Sequence, residues 1–201
     1  MSFESDLTRR LAVARGHEPA DLVIKGGRVL SVFTGELLDA DVAIAGEHVA
    51  AVGPGYEGQE TFDATGLTIL PGFIDGHMHL ESTKLMVDEF ARAALPHGTT
   101  TVVIDPHEIA NVFGLDGVRA LLGVAGQIPL DYYVMVSSCV PASPFESNGA
   151  TVDAADIARF LREEPRAIGL AEMMDFPGVL ARDPAIAGKI RATPRGSPVE
   201  T

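Results

Sequence analysis

The 201-residue sequence contains one cysteine, Cys139. One thiol excludes an internal disulfide framework, and inside a strand-like apolar segment it reads more readily as a buried side chain than as a reactive one. Basic residues are scarce: 15 Lys and Arg against 28 Asp and Glu leave a formal net charge of -13. No run of lysines or arginines offsets that field, so phosphate backbones and anionic bilayers are repelled, and neither nucleic acid nor membrane is an expected partner. Long apolar runs are missing too, none approaching the roughly 20 residues of a spanning helix. Residues 1–16 interleave Glu4, Asp6, Arg9, Arg10 and Arg15 with scattered leucines, the wrong pattern for a secretory leader. The expected location is the cytoplasm.

What the chain does have is 46% hydrophobic residues and 21 glycines, the composition of a globular protein with a sizeable core and many turns. Its length suits one ordinary domain, or a small domain plus part of a larger one. Ser5 to Ala14 carries Leu7, Leu11 and Val13 among charges and predicts a short helix stopped by Gly16 and Pro19, within an amino-terminal segment 1–20. From 21 to 67 the runs become short and alternating, separated by glycines, which predicts a small antiparallel, β-sandwich-like unit. The glycine pairs match neither a dinucleotide fingerprint nor a phosphate loop and read as hairpin turns.

From 68 to 201 the rhythm lengthens into strand-then-helix units. The expected strands are Thr68–Ile74, Thr100–Ile104, Asp131–Ser137 and Ala167–Glu172, with helices over Thr83–Leu95, Leu115–Val124 and Ala154–Arg162 and one more short helix after Ala181. This is the α/β pattern of a parallel sheet, and four such strands make the first half of a TIM-like (β/α) barrel. Val102, Ile104, Val134 and Val136 are then expected on the inner face, short of partners, and unpaired strand edges invite association.

Barrel chemistry gathers where strands end. Pro71 to Ser82 reads PGFIDGHMHLES, with His77 and His79 two apart at a strand end, so that alternation aims both imidazoles the same way. With Asp75 nearby as ligand or support, this is half of a metal site, or else two surface histidines. Asp105, His107 and Glu108 follow the second strand; the Pro-His-Glu turn alternatively serves only as a helix N-terminus. Ser137, Ser138 and Cys139 follow the third. Glu172 interrupts the apolar Ile168–Ala171 and is costly to bury unless a metal, or an arginine such as Arg166 or Arg182, offsets its charge.

These stretches resemble a known family. DLVIKGG from Asp21 and LPGFIDGHMH from Leu70 are similar to the amidohydrolase superfamily; HLES from His79, IDPHEIANV from Ile104, SCVPA from Ser138 and GLAEMM from Gly169 resemble its adenine deaminases more narrowly. The resemblance implies a binuclear divalent metal centre of manganese, iron or zinc that converts adenine to hypoxanthine and ammonia in purine salvage. It assigns His77 and His79 as metal ligands and Glu172 as the bridging ligand that activates water, where many relatives use a modified lysine. Asp105 becomes a further candidate ligand, and His107 and Glu108 line the pocket. The family pattern continues beyond the point where this sequence stops, so the resemblance also implies a homo-oligomer or a missing carboxyl-terminal half. The alternatives are a truncated, non-catalytic fragment or another amidohydrolase acting on cyclic amides.

Overall fold

Pro71 and Gly72 part the chain into two units, Met1–Pro71 and Gly72–Thr201. The computed structural model describes residues 3–143 and 145–200; Met1, Ser2, Pro144 and Thr201, which belong to the expected segments 1–20 and 68–201, lie outside the described residues.

The first unit opens with α1 (Phe3–Ala14) and continues through β1 (Ala20–Lys25), β2 (Arg28–Leu30), β3 (Leu37–Asp39), β4 (Asp41–Ala45), β5 (His48–Gly53), β6 (Gly58–Asp63) and β7 (Thr68–Ile69). These form a four-stranded sheet in the order β5-β4-β1-β6 and a three-stranded sheet in the order β3-β2-β7. Helix α1 packs on β4 and β5, sealing a small core of Val13, Ala20, Val23, Ala43 and Ala45. Asp21 ties this together: its carboxylate pairs with Arg9 on the helix and accepts the Gly46 N–H at 2.7 Å, in the β4–β5 turn where Gly46 has φ 61°. Positive φ there favours glycine.

The second unit is built on β8 (Phe73–Met78), β9 (Thr99–Ile104), β10 (Asp131–Val136) and β11 (Ala167–Leu170), all parallel, in the order β11-β10-β9-β8. The connections carry α2 (Val87–Ala94), α3 (His107–Leu122) and α4 (Ala154–Glu163), and α5 (Phe176–Leu180) and α6 (Pro184–Ala192) follow. Asp153 starts α4 with a reciprocal capping box to Asp156, satisfying N–H groups that a helix start leaves free. The core packs strand residues Val102, Ile104, Val134 and Val136 against Val87 and Ala91 of α2, Leu115 and Val118 of α3, and Ile157 and Phe160 of α4. Full burial of each such side chain contributes about 1.5–3 kcal/mol. Among the described residues no helix is long and apolar enough to cross a membrane.

Several expectations change. The first unit is not purely antiparallel, since β1 pairs with β6, and β2 with β7, in parallel; local patterning marks strands but not the edge to which a later strand returns. The single expected strand Thr68–Ile74 is two: Thr68–Ile69 joins the three-stranded sheet and Phe73–Met78 the parallel one, with Pro71, which has no N–H to give a ladder, between them. The expected helix over Thr83–Leu95 shrinks to α2, because Lys84 adopts φ 60° and closes a 3-10 turn at Leu80–Thr83. Helix α3 starts at His107 rather than Leu115, its two parts joined at Gly114 with φ 62° and ψ -155°. Val102, Ile104, Val134 and Val136 are at most 1% exposed. They face the helices, so the alternation is in the opposite phase to the one expected.

Candidate metal centre

His77 lies on β8 and His79 just past its end, where the 3-10 turn begins. The ladder to β9 shifts register between Asp75 and Met78, so the backbone here is irregular. The two rings meet edge-on, with centroids 5.3 Å apart and planes at 75°. Glu172 follows β11, which ends at Leu170 rather than at Glu172. Across a flat sheet the β8 and β11 positions would stand about 14 Å apart, three strand spacings. Here Oε2 of Glu172 lies 3.6 Å from Nε2 of His79 and 4.0 Å from Nε2 of His77. The sheet therefore curls, and its concave side brings the outer strands' ends together, as in part of a barrel.

His77, His79 and Glu172 each offer a ligand atom within 4.8 Å of the other two. The remaining ring nitrogens are also engaged: Nδ1 of His79 lies 3.2 Å from Oε2 of Glu108, and Nδ1 of His77 lies 3.1 Å from Oε2 of Glu200. A carboxylate accepts only, so each Nδ1 carries the proton and donates. In that tautomer Nε2 is the lone-pair nitrogen, and it is the one nearer Glu172. A carboxylate holding the far nitrogen of a ligating imidazole is the usual support of a histidine metal ligand. Burial disfavours the protonated form of His79, but the hydrogen bond to Glu108 and the charges of Glu108, Asp105 and Glu172 together raise its pKa. Protons and a cation thus compete for this ring.

Asp105 follows β9 and is 1% exposed. Its Oδ1 accepts the Ser137 hydroxyl at 2.8 Å, while Oδ2 is buried without a hydrogen-bond partner. Burial pushes its pKa up to about 6, against the opposing influences of Ser137, His79 and His107. It stands outside the trio of converging ligand atoms, yet an orphaned buried carboxylate oxygen beside two imidazoles and a carboxylate suits a cationic centre. His107 and Glu108 open α3, and Glu108 turns to His79. Asp75 is engaged locally, accepting the His77 N–H at 3.1 Å. Arg166 does not neutralise Glu172; its guanidinium lies 3.5 Å from Asp131 and donates to the Tyr132 carbonyl at 3.0 Å.

One participant, Glu200, escapes a reading of the sequence. Glu200 reaches the site because Val199 bridges to Leu170 and the Glu200 N–H donates to the Leu170 carbonyl, extending the sheet beyond β11. Its only local signal is a valine beside a carboxylate in a Pro- and Gly-containing stretch. Glu81 accepts the Ile109 N–H at 3.0 Å and so joins the turn after His79 to the first turn of α3. Its other oxygen is buried and unpartnered, and burial raises its pKa.

Comparison with known proteins gives the family and the fold. Residues 68–199 match the model of the amidohydrolase family. Curated adenine deaminases of Halalkalibacterium halodurans and Moorella thermoacetica are each 50% identical to the chain, over 92% and 94% of it, and it spans about a third of their length (32% and 33%). Among solved structures, the N-acyl-D-glutamate deacylase of Bordetella bronchiseptica superposes with a TM-score of 0.62 at 21% identity, covering 87% of this chain and 43% of that one. The dihydropyrimidinase of Brevibacillus agri superposes with a TM-score of 0.55 at 22% identity, covering 74% of this chain and 32% of that one. At such identities the likeness concerns the fold.

Proposed function

The chain belongs to the amidohydrolase family, and from that premise we propose that it carries the metal-holding part of an adenine deaminase, which hydrolyses adenine to hypoxanthine and ammonia. The observation that carries this reading is the convergence of one ligand atom each from His77, His79 and Glu172 within 4.8 Å. The 50% identity to curated adenine deaminases supports the choice of substrate.

In this reading His77 and His79, through Nε2, and Glu172, through its carboxylate, would hold the divalent metal centre. Such a centre, of manganese, iron or zinc, supplies Lewis acidity that brings the pKa of water toward neutrality. The chain's own groups do the rest. Glu108 and Glu200 keep the proton of each imidazole on Nδ1, so that the lone pairs stay aimed inward. Asp105, buried beside the centre with Oδ2 unpartnered, is placed to hold or release a proton there. Such a group can accept the proton of the attacking water and return one to the departing ammonia. His107 and Glu108 line the pocket where the purine ring binds.

The test is to load the chain with Zn²⁺, Mn²⁺ or Fe²⁺ and supply adenine and a dihydropyrimidine in parallel, following hypoxanthine, ammonia and ring opening separately. Hypoxanthine and ammonia in equal amounts, lost in Glu172→Gln, are expected. Ring opening without ammonia would replace the reading with a cyclic-amide hydrolase. Tight metal binding with neither product would leave a non-catalytic fragment.

A further inference from the structure

Glu172 sits on no regular element, yet its carboxylate has to be held where two imidazoles converge. The segment around it is fixed by its neighbours. Ala171 N–H donates to the Val136 carbonyl at the end of β10, and Met173 N–H to the Glu200 carbonyl. The carbonyl of Glu172 itself accepts the hydroxyl of Ser138 and lies 3.3 Å from Sγ of Cys139, which in turn accepts the Met174 N–H at 3.0 Å. Ser138 and Cys139 are 1% and 3% exposed. Nζ of the half-buried Lys189 on α6 donates to the Ser138 carbonyl at 2.7 Å.

We propose that Ser138 and Cys139 are positioning residues for the metal site: together they clamp the backbone on both sides of Met173 and thereby fix the direction of the Glu172 carboxylate. The inference rests on the metal-site reading above. The thiol acts here as a two-way connector, donor toward one carbonyl and acceptor from an N–H one peptide further on, so its role is geometric and not nucleophilic. A hydroxyl can do both jobs at the same position, whereas a methyl group can do neither. Loss of the clamp keeps every ligand side chain in the protein but removes the bonds to the Glu172 carbonyl and the Met174 N–H, and supporting groups of this kind typically govern about 10- to 100-fold in metal affinity.

The experiment is isothermal titration of the full chain with Zn²⁺ alone, comparing the parent, Ser138→Ala/Cys139→Ala, Cys139→Ser and Glu172→Gln, with circular dichroism to verify the fold. The double variant is expected to bind Zn²⁺ about 10- to 100-fold more weakly than the parent, and Cys139→Ser to stay close to it. The same double change in a Glu172→Gln background is expected to have little further effect, because the clamp acts through that side chain. Parent-like affinity in the double variant, with Glu172→Gln impaired, would overturn the clamp and leave the metal site standing. An equal loss in the Glu172→Gln background would also overturn it, marking a general structural effect. If the parent binds no more tightly than Glu172→Gln, the metal-site reading fails and takes the clamp with it. Should the double variant not fold, Ser138→Ala alone carries the same outcomes.

Discussion

Ser137 donates its hydroxyl to Oδ1 of Asp105 at 2.8 Å, while Oδ2 of the same carboxyl is buried with nothing to accept from. One oxygen is thus satisfied by the end of β10 and the other is left to the concave side. In the chelated, metal-free chain this has a pH signature. The folded state keeps the Asp105 proton until about pH 6, whereas an unfolded aspartate releases it near 3.8. The unfolded state therefore binds fewer protons between those values, and stability falls as pH rises through them, by roughly 3 kcal/mol for this group. Chemical denaturation of the parent and Asp105→Asn across pH 4 to 7 checks it: the difference in slope should be confined to that window and vanish outside it.

Glu108 and Glu200 hold the outer nitrogens of His79 and His77. Glu108→Gln and Glu200→Gln are each expected to weaken metal binding by about 10- to 100-fold while leaving the melting profile of the metal-free chain nearly unchanged. Zn²⁺ titration calorimetry reads the first quantity and differential scanning calorimetry the second. Unaltered affinity in both variants would show that the rings need no such support.

Gly114 joins the two parts of α3 at φ 62° and ψ -155°, a region essentially closed to side chains, and a Cβ there would meet that of Ala150 at 3.2 Å. Gly114→Ala is expected to cost about 1–3 kcal/mol. Urea unfolding of the two proteins measures it, and a neutral result would mean that the joint relaxes into a continuous helix.

Phe160 of α4 is fully buried, with the Arg119 guanidinium 5.1 Å over its ring. Phe160→Ala opens a cavity between α4 and the sheet and is expected to destabilise the chain by about 3–5 kcal/mol. Phe160→Leu, which keeps most of the volume, should lose far less in the same denaturation series.

The converging trio is legible in the sequence because its members lie beside strands whose apolar runs are conspicuous. His77 and His79 two apart imply a shared direction, and Glu172 stands out as a carboxylate after an apolar run. The phase of the sheet was not legible. Val102, Ile104, Val134 and Val136 belong to strands rich in apolar residues on both faces, so alternation alone could not tell the helix side from the concave side. The break at Pro71 is hidden for a related reason, since Thr68–Ile69 and Phe73–Ile74 both read as strand-like chain and nothing in either marks the sheet it joins. Glu200 was hidden because its placement depends on a backbone bridge to Leu170 that no local pattern announces.

The curl that carries Glu172 to the two imidazoles has a mechanical consequence. Ligands contributed by the outermost strands of one sheet make a bound cation a rivet across its hollow side, closing a loop that spans much of the second unit. Ion occupancy and curvature then become one equilibrium. Whatever flattens those strands loosens the ion, and whatever withdraws the ion lets the strands splay, so resistance to unfolding should climb with free metal concentration.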